Sequence, residues 1–157
     1  MRHKKVQKRV TEADKIYQNA LVTKFINNLM KDGKKTVAQK VFYDSFKILE
    51  SKEKNPLETF ELAIQNVGPK TEVKARRVGG ANYQVPTEVR GERRVSLAIR
   101  WVLEAAKARS NKDYHTFAEK LAAEFLDASN NEGAAVKKRD NVLRMADANR
   151  AFSHFRF

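Results

Sequence analysis

A chain of 157 residues that is 41% apolar is long enough for one buried core and too apolar for a disordered tail. Lysine and arginine total 32 against 19 acids, a formal charge of +13, which draws phosphate polymers or anionic membranes and leaves the fold open. Cysteine is absent, excluding disulfides and thiolate metal sites, and no window nears about 18 uncharged apolar residues, so no membrane-spanning helix is expected. No apolar stretch follows the basic start MRHKKVQKRV, so the expected setting is cytoplasmic rather than secreted.

Residues 1–15 read as a basic arm. Arg2, Lys4, Lys5, Lys8 and Arg9 come with little apolar content, and such a segment orders on a partner rather than alone. Residues 16–69 carry three helices. In the first, from about Ile16, the residues Leu21, Phe25, Ile26, Leu29 and Met30 share a face, and Asp32-Gly33 ends it. The second, from about Thr36, has Val37, Val41, Phe42, Ser45, Phe46 and Leu49 as its inner stripe. The third has the clearest start: in NPLE, Asn55 caps, Pro56 fits the first helical position and Glu58 reaches back as a capping-box partner. Leu57, Phe60, Ala63, Ile64 and Val67 follow at helical spacing until Gly68-Pro69 stops the helix.

Over residues 70–90 the period changes to two. Val73, Ala75 and Arg77 share one parity, as do Tyr83, Val85, Thr87 and Val89 beyond Gly79-Gly80, which predicts two strands joined by a tight turn. Pro86 lacks a ladder donor, so its strand is an edge, and a two-stranded ribbon needs packing at its base or a ligand along its length. Residues 91–152 hold three more helices. Val95, Ile99, Val102, Leu103 and Ala106 stripe one; Tyr114, Phe117, Ala118, Leu121 and Phe125 stripe the next; the last runs from near Asn131 through Phe152. Residues 153–157 form an aromatic tail. The expected fold is mainly α: a single helical domain of about six helices with a projecting two-stranded β-hairpin between the third and fourth.

Catalytic constellations are missing. His3, His115 and His154 stand far apart with no metal-ligand spacing, so neither a metal site nor a cofactor is expected. DGKKT fails as a phosphate loop, since Asn28 occupies the place of its first glycine and Lys35 that of its metal-binding hydroxyl. Neither GxSxG nor GxGxxG occurs. The acid pairs Glu50/Glu53 and Glu119/Glu124 fall on helix surfaces, where solubility explains them. Trp101, in mid-helix, is expected to pack rather than to stack on a base. No enzyme is expected.

Basic clusters remain. Beyond the arm these are Lys31, Lys34 and Lys35 at a helix–helix turn; Lys70, Lys74, Arg76, Arg77, Arg90, Arg93 and Arg94 on the hairpin and its root; and Lys137, Lys138, Arg139 and Arg144 on the last helix. Arg93, Arg100 and Lys107 recur every seven residues and line one solvent-facing strip. Residues 70–94 hold seven basic side chains against Glu72, Glu88 and Glu92, an excess that favours phosphate contact over a merely solvated face. Arginine's planar fork suits phosphates and stacked bases. No apolar stripe is left over for a membrane surface, and no dimerisation signal points to a homo-oligomer. A DNA-bending architectural protein with a β arm stays a rival, while the slim tip around Val78, Gly79, Gly80, Ala81, Asn82, Tyr83 and Gln84 suits RNA.

The segments FINNLMKDGKKTVAQKVFYDSF, NPLETFELAIQNVGPKTEVKARRVGGANYQVPTEVRGERRVSLAIRWVLEAA and EGAAVKKRDNVLRMADANRAFSHFRF together resemble the bacterial small-subunit ribosomal protein seven family, nearly throughout from Ile16 onward. RRVGGANYQVP and GAAVKKR are the most specific. The resemblance implies a helical domain with a β-hairpin that is a primary binder of small-subunit rRNA, nucleates assembly of the subunit head and sits near the exit site for tRNA and mRNA. The hairpin tip would reach toward the tRNA and mRNA path while its root grips rRNA. The arm is similar to the family only in being basic, and the tail ends in His154-Phe155-Arg156-Phe157, where family members often carry Tyr and Trp. Arg150, Phe155, Arg156 and Phe157 are expected to dock on a neighbouring small-subunit protein, which by resemblance is the platform protein eleven.

Overall fold

The computed structural model describes residues 10–155, so the arm cations Arg2, Lys4, Lys5, Lys8 and Arg9 and the tail residues Arg156 and Phe157 lie outside the described residues. Six α-helices and one hairpin follow in the expected order: α1 (Ala20–Leu29), α2 (Lys35–Ser51), α3 (Pro56–Val67), β1 (Thr71–Val78), β2 (Ala81–Glu88), α4 (Gly91–Ala108), α5 (Phe117–Ser129) and α6 (Gly133–Ala148). A 3-10 helix, Arg150–Phe155, follows.

The core is built on phenylalanine. Phe25, Phe42, Phe46, Phe60 and Phe125, from α1, α2, α3 and α5, are fully buried and meet mostly tilted or edge-on, with Phe42–Phe46 at 4.4 Å and Phe25–Phe60 at 5.5 Å and 87°. Edge-on geometry sets the positive rim of one ring against the negative face of the next, so the cluster stabilises beyond its buried area. Trp101 is buried on α4, as expected.

Five local expectations are corrected. Residues near Ile16 are not helical: the Asp14 carboxylate accepts the Ile16 and Tyr17 N–H groups and the Tyr43 hydroxyl at 2.7 Å, and α1 starts only where Asn19 accepts the Leu21 N–H. Burial, reinforced by this bond to Asp14, pushes the Tyr43 hydroxyl up to about 12. Val37 leaves the inner stripe of α2 and is 56% exposed, because it stands in the first turn, beside the α1–α2 turn. At α3 Asn55 caps the Leu57 N–H, whereas the full capping box forms at α5, between Thr116 and Glu119, leaving Tyr114 outside that helix. The last helix does not run through Phe152. Asn149 turns its side-chain amide onto the Met145 carbonyl, a local bond that competes with helix continuation, and the chain re-forms as the 3-10 turn.

The hairpin pairs Val78 with Ala81, leaving Gly79 and Gly80 as a two-residue turn with φ of +56° and +89°. Positive φ at both positions is what a type I′ turn demands, and its twist matches that of the strands. A two-residue turn sets each residue opposite one of the other parity, as in Val73 opposite Pro86 and Lys74 opposite Val85. The odd-numbered sets of the two strands therefore occupy opposite faces. Glu72, Lys74 and Arg76 share one face with Val85 and Thr87.

Candidate nucleic-acid interface

The root of the hairpin is where charge and geometry meet. Glu72 on β1 is 7% exposed, and the Arg93 Nε–H donates to both of its oxygens at 2.8 and 2.9 Å. The second guanidinium nitrogen lies 2.7 Å from Oε2 and Lys74 Nζ lies 3.0 Å from Oε1. Hydrogen bonds from Arg93 hold the Glu72 carboxyl below its ordinary range, ahead of Lys74. The stabilisation this pairing gives the hairpin root is full above the ordinary carboxylate range and is lost as pH falls through the lower folded value. Both cations stay about half exposed, at 54% and 51% of their side chains.

Arg94 turns inward. Its Nε–H donates to the Gly68 carbonyl at 2.9 Å and a terminal nitrogen to the Gln65 carbonyl, so a cation closes the carbonyl end of α3, where the helix dipole favours positive charge. Glycine at position 68 leaves room for this brace: a Cβ there would stand 2.8 Å from the Arg94 side chain, which would have to shift. Arg90, Lys70, Arg76 and Arg77 are exposed around this brace, and Arg100 and Lys107 are exposed along α4 as the heptad spacing predicts.

The other clusters divide in the same way. Lys34 and Lys35 are exposed at the α1–α2 turn, beside a cleft of about 180 Å³ lined by Leu29, Val37, Val41 and Phe117. On α6, Lys137 is exposed, and Lys138 pairs with Glu104 over the Trp101 ring. Arg139 donates to the Asn66 carbonyl at 2.7 Å and pairs with Asp140, tying α6 to α3. Arg144 is exposed and donates to Asn141.

Glu124 does not lie on a helix surface. It is fully buried, accepts from Arg109, and takes the Ala135 N–H at 3.1 Å, capping α6 from another helix; Arg109 also reaches Asp127 and Tyr114. Asp14, Glu72, Arg109 and Glu124 are charged residues whose roles sequence reasoning missed. The apolar period marks positions by hydrophobicity and is blind to a buried acid whose partner lies fifteen or twenty-one residues away. Glu119 likewise serves as a cap.

At the hairpin tip Tyr83 is half-buried under the terminal 3-10 helix, with Phe152 at 5.3 Å and Phe155 at 5.0 Å between ring centres. Gly79, Gly80, Ala81, Asn82 and Gln84 are exposed, Val78 is half-buried, and Arg150 is exposed beside the root. Phe155 thus meets the hairpin of its own chain. Among the described residues no cluster of three His, Asp or Glu has metal-holding geometry, and no helix is long and apolar enough to cross a membrane.

What the arrangement offers is a half-exposed cationic surface around a braced hairpin, with Glu72 buried at its root while Glu88 and Glu92 stay exposed. Comparison with known proteins agrees in kind. The sequence model described as ribosomal protein S7p/S5e matches residues 1–150. Proteins named small ribosomal subunit protein uS7 are similar along almost their whole length: 54% identical in Syntrophus aciditrophicus and 55% in Moorella thermoacetica, covering 99% of both chains in each case. In Clostridium acetobutylicum the identity is 56%, over 97% of this chain and 96% of that one. The chain belongs to the ribosomal protein S7p/S5e family.

Proposed function

We propose that the protein is a non-catalytic structural component of the small ribosomal subunit that binds small-subunit rRNA directly, nucleates assembly of the head domain and lies near the exit site for tRNA and mRNA. The observation that carries this reading is the hairpin root, where Lys70, Lys74, Arg90 and Arg93 surround a braced strand–helix junction. Phosphates take their affinity from such clusters, and a slim hairpin projecting from them can enter a space between strands of RNA that a globular body cannot. Arg76 and Arg77 continue the charge toward the tip, whose exposed Gly79–Asn82 turn would face tRNA and mRNA. Arg100, Lys107, Lys137 and Arg144 extend the rRNA-facing surface along α4 and α6, and Lys34 and Lys35 extend it at the α1–α2 turn. Arg150 and the tail beyond Phe155 would face the platform protein eleven. Family membership does not favour the DNA-bending alternative.

A competition assay tests the reading, with a transcript of the 16S-type head domain against duplex DNA. If ~6–10 phosphates are neutralised, affinity for the transcript should fall by about three to five decades between about 50 and 200 mM salt. Preference for the duplex, or an affinity nearly independent of salt, would overturn it.

A further inference from the structure

By charge alone, Glu72 is an acid in the wrong place, a negative group amid the cations meant for RNA. Its geometry says otherwise. It is 7% exposed, sits on β1 where the strand leaves the body, and engages Arg93 from the first turn of α4 and Lys74 from its own face of the strand. Two nitrogens that share Oε1 at 2.8 and 3.0 Å lie no further apart than the sum of those distances. The carboxylate takes one edge of the Arg93 fork and one N–H of the Lys74 ammonium, leaving the opposite guanidinium edge and the remaining ammonium donors on half-exposed side chains. One acid against two cations leaves one net positive charge.

We infer that Arg93 and Lys74 form a phosphodiester-binding site in which the buried Glu72 is the positioning residue, holding both cations extended and adjacent before RNA arrives. The inference rests on the RNA-binding reading above. Long cationic side chains lose rotamer freedom when they grip a phosphate, and a buried carboxylate that already fixes them removes that cost from binding. The lowered ionisation range of Glu72 keeps the carboxylate charged at neutral pH. A carboxylate beside a phosphate site repels the ligand, but here it is paired twice and covered, while the donors it orients face outward.

The experiment is a double-mutant cycle on the full chain, titrated against the head-domain transcript at low and moderate salt. E72Q should weaken binding about three- to tenfold although it makes the protein more positive, the scale of re-ordering one or two side chains. In the Lys74→Ala/Arg93→Ala background the same substitution should cost nothing or tighten binding, because there is no pair left to position. Equal or tighter binding by E72Q alone overturns the inference, and so does an equal loss in both backgrounds, the mark of a merely structural role. Lys74→Ala, which changes an exposed side chain and leaves folding intact, supplies a check independent of Glu72. It should flatten the logarithmic salt slope by roughly 0.7–0.9, one phosphate's worth, and an unchanged slope overturns the site. A wild-type chain without salt-dependent affinity would instead overturn the RNA reading, and this one with it.

Discussion

Single side chains in this protein divide by what they face. Arg94, Arg109 and Arg139 are as basic as Arg90 or Arg100, yet each is turned onto carbonyls or acids of the same chain. Glu124 is the most consequential of their partners. It is fully buried and joins α5 to the α4–α5 connection through Arg109, and to the start of α6 through the Ala135 N–H. Gly133 belongs to the same device: its φ is +91°, and a Cβ would stand 3.2 Å from Glu124 Oε1. Removing one member of a buried ion pair leaves the other uncompensated. Glu124→Ala should therefore destabilise the protein by about 3 kcal/mol in a denaturant titration. Glu124→Gln, which can still accept the Ala135 N–H, should cost less. Equal midpoints for wild type and Glu124→Ala would show that Asp127 alone satisfies Arg109.

At the scale of elements, the hairpin is held at both ends. Its root is fixed by Glu72, and its far half by Tyr83, on which Phe152 and Phe155 of the terminal 3-10 helix rest. Replacing both phenylalanines with alanine removes rings that touch the ribbon and not the phenylalanine core. The melting temperature should hardly move, while hydrogen exchange of the Thr71–Glu88 amides should accelerate about tenfold, as loss of one or two aromatic pairs at ~0.5–1.5 kcal/mol each implies. A melting temperature lowered by several degrees, or unchanged exchange, would place the rings elsewhere in the energetics. How much of this was legible in the sequence follows from the range of each signal. The third helix, its Asn55-Pro56 start and its Gly68 stop were readable because capping is local, and the Gly79-Gly80 turn was readable because its backbone requirement is local too. The hairpin's position between third and fourth helices followed. The clasp was not legible: Tyr83 and Phe155 lie far apart in the chain, and a lone tyrosine in a strand carries no sign of what covers it. The burial of Glu124, expected on a helix surface, and that of Glu72 are hidden from the sequence for the same reason, since only the fold brings Arg109 and Arg93 to them.

Taken whole, the molecule sorts its charge by depth. Asp14, Glu72 and Glu124 are buried and bonded to groups of this chain, while Arg90, Arg100, Lys107 and Lys137 are exposed. Arg94, Arg109 and Arg139 turn inward as well, so the outward field stays set by the formal +13. This separation gives salt opposite effects on folding and on binding. Exposed like charges repel in the compact state, and added salt screens them, with a Debye length of about 10 Å at 0.1 M. Buried pairs such as Arg109–Glu124 are screened far less. Between about 50 and 200 mM salt, where affinity for rRNA should fall by decades, the free protein should become more stable. If relief of repulsion amounts to ~1 kcal/mol, its melting temperature should rise by about 2–4 °C. The two measurements share one buffer series, so the signs can be compared directly. A melting temperature that falls with salt would mean that surface pairs such as Lys138–Glu104 and Lys47–Asp44 outweigh the repulsion, and that the exposed cations are balanced rather than held ready for a polyanion.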